Sequence, residues 1–231
     1  MKPIFDILYE DNHLLVVIKP TNILSQSDIT GEDSMVELVN DYLRIKYNKP
    51  GKAYVGLLHR LDRPVSGIMV FAKNSKSFER MQKQIKYRTV DKYYLAISAK
   101  KAEKLEQEIT HFLVKDSKLN MVKVSSEPVE GSKDCILRYK LIGEKNGKFL
   151  YLIKLITGRP HQIRAQMAFI GCPLMGDIKY GRYLPKESHN LALFSFKMAI
   201  DHPVIKERMI WEAYPESKGY WKGMEVFFPI K

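Results

Sequence analysis

His59-Arg60-Leu61-Asp62-Arg63-Pro64-Val65-Ser66-Gly67 sets one carboxylate between two arginines and ahead of a glycine, and the apolar run Ile68-Met69-Val70-Phe71-Ala72 follows directly. That run is short and rich in β-formers, so it reads as a strand entering the core. Asp62 is therefore expected on rigid backbone at the mouth of a strand. Arg60, Arg63 or a cation from elsewhere in the chain would favour its charged form. A carboxylate held ionised in this way can serve as nucleophile or base.

Upstream of this motif, Ile7-Leu8-Tyr9-Glu10 and Leu14-Leu15-Val16-Val17-Ile18 read as two strands joined around Asp11-Asn12, and Lys19-Pro20-Thr21-Asn22 as a turn. Ser34-x-x-Glu37 is a capping box, with Met35, Leu38, Tyr42 and Ile45 following at helical spacing. Downstream, a basic amphipathic helix is expected from about Ser75 to Tyr87, with Phe78, Met81 and Ile85 inward. A strand over Val90 to Ser98 would point the adjacent Tyr93 and Tyr94 to opposite faces. Further strands are expected at 108–114, 133–142, 149–156, 191–200 and 208–213, while the lysine-rich region 100–146 resists placement. A last helix is expected to open at Pro160, bury Ile163, Met167 and Ile170, and end at Gly171. The strands show no regular alternation with helices. The fold class is α+β, with a mixed, largely antiparallel sheet and flanking helices.

The 231 residues suffice for a sizeable core, and a hydrophobic content of 45% excludes a disordered chain. No apolar run is long enough to cross a bilayer, and the N-terminus lacks the apolar segment of an export signal. Cys135 and Cys172 are too few and too far apart to suggest a metal site, and read as reduced thiols of a cytoplasmic protein. Charge is more informative. Lys and Arg total 38 against 26 acidic residues, a formal +12. Half of that excess lies between Lys76 and Lys104, where nine basic residues meet three acidic ones. Clustered basic charge points to a polyanion, with nucleic acid first.

Several chemistries do not fit. Val65-Ser66-Gly67 is no nucleophile elbow, and His59-Arg60-Leu61-Asp62 lacks the rest of a kinase signature. Asp62 has no converging carboxylates for metal-assisted phosphoryl transfer, nor a second carboxyl group for glycoside hydrolysis. His59 and His161 read as structural hydrogen-bonders. Arg159 and Arg164, in Thr157-Gly158-Arg159-Pro160-His161-Gln162-Ile163-Arg164, are phosphate contacts or partners of Asp62.

The Asp62 stretch resembles the signature of the RluA family of RNA pseudouridine synthases. Three further stretches agree in order and spacing. These are Ile7 to Asp11 with Lys19-Pro20, then Lys92-x-Tyr94-x-Ala96, then Thr157 to Arg164 with Gly171, Pro173, Gly176-Asp177 and Tyr180-Gly181. The resemblance implies a single catalytic domain over 1–231, with a central basic cleft that isomerises uridine in RNA to pseudouridine without metal or cofactor. It assigns Asp62 as the essential carboxylate, nucleophile or base. Tyr94 is then the tyrosine lying against the uracil, and Arg164 the arginine that pairs with the aspartate. Arg60, Arg63, Arg80, Lys83, Lys86, Lys92, Arg159 and His161 become the expected RNA contacts.

Val65 stands where many members have threonine, Gln166 where many have histidine, and Asn22 where glycine is frequent. These departures bear on subfamily and substrate, since none removes a proposed catalytic group. The opening motif begins near residue 7, so the S4-like domain of many relatives is expected to be absent. The implied partner is structured RNA, ribosomal or transfer, met by a monomer away from membranes. The alternatives are a non-catalytic RNA-binding protein on the same scaffold, and an enzyme that cleaves the glycosidic bond and releases the base.

Overall fold

A computed structural model of the protein describes residues 3–116, 119–181 and 190–229, which include every candidate residue named above. The chain packs as two compact units, residues 1–91 with Lys197–Ala213, and residues 92–196 with 214–231. Among the described residues there are eleven strands and three α-helices, the α+β class expected.

The first unit holds β1 (Asp6–Glu10), β2 (Leu14–Lys19), α1 (Met35–Lys46), β3 (Gly56–Leu57), β4 (Ser66–Ala72) and α2 (Ser75–Lys86). It also takes the last five residues of β10 (Leu193–Asp201) and all of β11 (Arg208–Glu212). Its strand order is β1-β2-β4-β10, with β3 paired to β4 and β11 to β10. The registers of β1–β2, β2–β4 and β10–β11 are antiparallel, and one parallel bridge joins Leu24 to Ser34. β2 and β4 are buried almost throughout, so both their faces are covered and both read as continuous apolar runs.

In α1 the capping box forms as expected, Glu37 accepting from the Ser34 N–H at 2.9 Å. Of the expected stripe only Met35 is fully buried, and Val39 and Leu43 complete the buried face. Ile45 is exposed, and Tyr42 sends its hydroxyl to Glu10 at 2.7 Å. α2 is capped by the Asn74 side chain accepting from the Ser77 N–H, and buries Met81.

The second unit holds β5 (Asp91–Ser98, from Lys92 on), β6 (Glu106–Asp116), β7 (Met121–Ser125), β8 (Lys133–Lys145), β9 (Lys148–Leu155) and α3 (Gln162–Phe169). The order is β5-β9-β8-β6-β7, with each pair antiparallel. The lysine-rich region that resisted placement thus holds the β6–β7 hairpin and β8, which pairs with β6 on the side away from β7. In β8, Cys135, Leu137 and Tyr139 point inward while Arg138 and Lys140 point outward, the alternation of a half-buried strand. Asn146 and Gly147, both with positive φ, make the two-residue turn into β9.

α3 differs from the expectation. Pro160 is not its first residue: His161 takes a left-handed conformation at φ 54° and the helix begins at Gln162. It is also not simply amphipathic. Gln162, Arg164 and Gln166 are buried with Ile163 and Met167, so this helix carries polar groups into the interior and each needs a partner.

Candidate active site

The Asp62 loop lies in the first unit. Residues 58–65 are irregular, and the Val65 N–H closes a turn on the Asp62 carbonyl at 2.9 Å. Leu61 and Val65 on either side are buried, which anchors the turn and leaves Asp62 partly exposed. Three side chains from one short segment, residues 19–25, grip the loop's main chain. Ser25 donates to the Leu61 carbonyl at 2.6 Å and accepts from its N–H at 3.0 Å. Thr21 donates to the Pro64 carbonyl at 2.9 Å, and Lys19 to the Arg63 carbonyl at 3.1 Å and the Pro20 carbonyl at 2.8 Å. Gly67, opposite Lys19 in the β2–β4 register, has φ 118°, a conformation that side chains rarely adopt. Asn22 has φ 63°, which accounts for glycine being frequent at this place in the family pattern.

The cation that accompanies Asp62 in this unit is one the sequence did not single out. Lys19 is fully buried. Burial pushes its ammonium down to about 7, the Asp62 charge opposes that fall, and Arg63 adds to it. Arg63 itself is committed elsewhere: its fork pairs with Glu32 at 2.6 Å and its Nε donates to the Asn22 carbonyl at 3.2 Å. Arg60 is exposed. His59 is structural, its Nε2 accepting from the Val70 N–H at 3.1 Å.

In the second unit Arg164 is held by Asp177. Nε and Nη2 each donate to one carboxylate oxygen at 2.8 Å, with the side chains only 4% and 0% exposed. Asp177 Oδ1 also accepts from the N–H groups of Lys179 and Tyr180. The Tyr180 ring lies 5.3 Å from the Arg164 guanidinium carbon, and its hydroxyl bonds His161 Nδ1 and the Val122 N–H, each at 2.9 Å. Beneath them Thr157, Gln162, Gln166 and His111 form a chain of side-chain hydrogen bonds. Gln166 also donates to the Cys135 carbonyl. Burial lowers the His111 pKa and pushes the Cys135 thiol up to about 11, so neither is charged near neutral pH.

The other candidates divide in the same way. Arg159 donates to the Asp134 carboxylate at 2.9 Å and to its carbonyl at 3.1 Å. Tyr94 is buried at 5% exposure in β5 while Tyr93 beside it is half-buried under the Lys154 ammonium. Lys92 lies against the Thr157 motif, where a Cβ on Gly158 would meet its Nζ at 3.2 Å. On α2, Lys83 and Lys86 are exposed, and Arg80 donates to the Pro203 carbonyl at 2.9 Å. Among the described residues no three His, Cys, Asp or Glu side chains converge as metal ligands, and no helix is long and apolar enough to cross a membrane.

Residues 13–169 match the sequence model of the family described as RNA pseudouridylate synthase. An uncharacterized RNA pseudouridine synthase of Mycoplasma genitalium is 30% identical over 214 residues, covering 92% of this chain and 67% of that protein. Ribosomal large subunit pseudouridine synthase D of Borreliella burgdorferi is 32% identical, covering 84% and 60%. Synthase C of Rickettsia typhi is 34% identical, covering 76% and 56%. The chain thus spans 56–67% of the length of these relatives. The solved structure titled human RNA pseudouridylate synthase domain containing 4 shares the fold, with a TM-score of 0.77 at 20% identity over 91% of this chain and 89% of that one. The chain belongs to the RNA pseudouridylate synthase family, on its RluA-type branch.

Proposed function

We propose that this protein isomerises uridine in RNA to pseudouridine, with Asp62 as the reacting carboxylate. The observation that carries this is the Asp62 loop itself. Its main chain is gripped at Leu61, Arg63 and Pro64 by a neighbouring segment, whose buried Lys19 also interacts electrostatically with the carboxylate. A carboxylate on a fixed turn is ready to act without reorganisation.

In the reaction the N1–C1′ bond breaks, the uracil turns, and C5 bonds to C1′. C5 then loses its proton and N1 ends protonated, so product and substrate have the same composition. Asp62 acts in its ionised form, as nucleophile or as base. Tyr94 takes the place against the uracil and assists removal of the C5 proton, and Arg164 takes the place of the arginine paired with the carboxylate. Uridine must leave its stack to be reached, as in other base-modifying enzymes. Phosphates flanking it fall to the exposed Arg60, Lys83 and Lys86 and to Lys92 beside the Thr157 motif. Arg63, Arg80, Arg159 and His161, each with a protein partner, support the RNA-facing loops. Two relatives are named for the large ribosomal subunit, which makes ribosomal RNA the first substrate to try and transfer RNA the second.

The test is incubation of the purified protein with ribosomal RNA fragments and transfer RNA carrying tritium at uridine C5. Tritium release with pseudouridine in the digested RNA is the expected result. Release of free uracil would replace isomerisation by glycosidic cleavage. RNA binding without release from either class would favour a binding protein on a synthase scaffold.

A further inference from the structure

From Tyr42 to Leu61 the sequence contains five basic residues, Arg44, Lys46, Lys49, Lys52 and Arg60, and no acidic one. This stretch covers the end of α1, the loop into β3, β3 itself and the first residues of the Asp62 loop. It is also interleaved with aromatic residues, Tyr42, Tyr47 and Tyr54. Within the first unit it borders a cavity of about 190 Å³ lined by Asn12, Leu43, Tyr47, Lys49, Tyr54 and Lys73.

Two of its lining residues, Tyr47 and Lys73, are tied to Glu10 behind the cavity wall. Glu10 accepts hydrogen bonds from Tyr42, Tyr47, Lys46 and Lys73, each at 2.7–2.8 Å. Lys73 also donates to the Tyr47 hydroxyl and to the Asp11 carbonyl, and its ammonium stands 4.6 Å from the Tyr47 ring centre. Burial alone would raise the Glu10 pKa, but these four donors bring it down to about 2, so the carboxylate stays charged. The Tyr47 ring is thereby fixed at its hydroxyl while 45% of the residue remains exposed, and Tyr54 is 41% exposed. One carboxylate faces two lysines, and among the described residues Lys49 adds a third ammonium with no carboxylate partner. The cavity is therefore positive on balance, walled by two phenol rings, and supplied with one amide at Asn12. It is smaller than the roughly 300–1,000 Å³ clefts that take drug-sized ligands. A single base with its phosphate suits a cavity of this size and charge, because aromatic rings stack any base and an ammonium takes the phosphate.

We infer that this cavity is a second RNA subsite, which stacks one unpaired base on Tyr47 and Tyr54 and takes the adjoining phosphate on Lys49. It rests on the reading of the protein as an RNA-modifying enzyme. It adds a contact outside the Asp62 loop, the Arg164 helix and the α2 surface. Its role is to hold a flanking single-stranded nucleotide, and so to add affinity and local sequence context without touching the reacting uridine.

The experiment uses the full chain and the tritiated RNA that it turns over, with Tyr54→Ala, Tyr54→Phe and Lys49→Ala. Both positions are exposed, so folding is not at risk. Tyr54→Ala should weaken RNA binding and raise KM about five- to tenfold with kcat at saturating RNA unchanged, and Tyr54→Phe should restore both. Lys49→Ala should weaken binding and lower the slope of log affinity against log salt by about one phosphate contact. A short oligouridylate titrated into isotope-labelled protein should shift the resonances of Asn12, Tyr47 and Tyr54. Wild-type affinity in Tyr54→Ala, with tritium still released, overturns the subsite and leaves the catalytic reading standing. Weakened binding in Tyr54→Ala, with no RNA releasing tritium from the wild type, keeps the subsite and overturns the catalytic reading.

Discussion

In the Asp62 loop the hydrogen bonds from Lys19, Thr21 and Ser25 all end on main-chain atoms, whereas in α3 Asp177 grips the guanidinium of Arg164 itself. The first arrangement fixes where a side chain starts, and the second fixes where a side chain ends. The difference matches the two tasks proposed. A group that forms or receives a bond must present a reactive atom, and clamping its backbone achieves that. A group that supplies charge and direction can be held by its own atoms, provided some donors remain. The two regions also differ in burial. The Arg164–Asp177 pair is nearly inaccessible, so its desolvation is offset only while both partners are present. Asp62 is partly exposed and faces no such penalty.

The comparison breaks most visibly at Asp177. Asp177→Ala leaves a buried guanidinium without its bidentate partner, and should cost about 3–5 kcal/mol of stability, read as a lowered denaturant midpoint. A midpoint within experimental error of the wild type would show that Arg164 is not held as described. Lys19 tests the other region. Its folded pKa near 7 lies below its unfolded value of 10.5, so between those values the unfolded chain binds more protons. The stability linked to Lys19 is therefore fully present above about pH 10.5 and is lost as pH falls toward 7. Unfolding of the wild type should show that rise with pH over this window, and Lys19→Met should flatten it. An unchanged profile in the variant would remove Lys19 from the account. The smallest effect is expected from Ser25→Ala, which deletes two hydrogen bonds to Leu61 while leaving the ionisable groups in place. It should cost about 1–3 kcal/mol, because the Leu61 amide is left buried without that partner. Activity should fall with it, since the turn carrying Asp62 loosens.

Local chemistry made much of this legible in the sequence. Asp62 at the mouth of a strand, the Ser34–Glu37 box and the face of α2 are written in adjacent residues. The Arg164–Asp177 pair was not, although both residues fall within one motif, because only the folded chain brings positions 13 apart into bidentate contact. Lys19 was missed for a different reason. Lysine is expected at the surface, and nothing in Lys19-Pro20 announces that the Pro20 and Arg63 carbonyls receive a buried ammonium. The stripe chosen for α1 was displaced because Leu38 and Ile45 are as apolar as Val39 and Leu43, and only packing decides between the faces. The region 100–146 looked featureless because charged residues of both signs, Glu106 and Glu108 in β6 and Arg138 and Lys140 in β8, stand between the buried positions of its half-buried strands. The alternation was present, masked by charge.

The most direct measurement compares Asp62→Asn with the wild type for tritium release from C5-labelled RNA, for RNA affinity, and for denaturant midpoint. The account predicts a fall in activity of about 10²–10⁴-fold or more. It predicts RNA affinity close to the wild type and a midpoint within about 1 kcal/mol. Continued tritium release by the asparagine variant would contradict it, because no other residue has been given the work of Asp62.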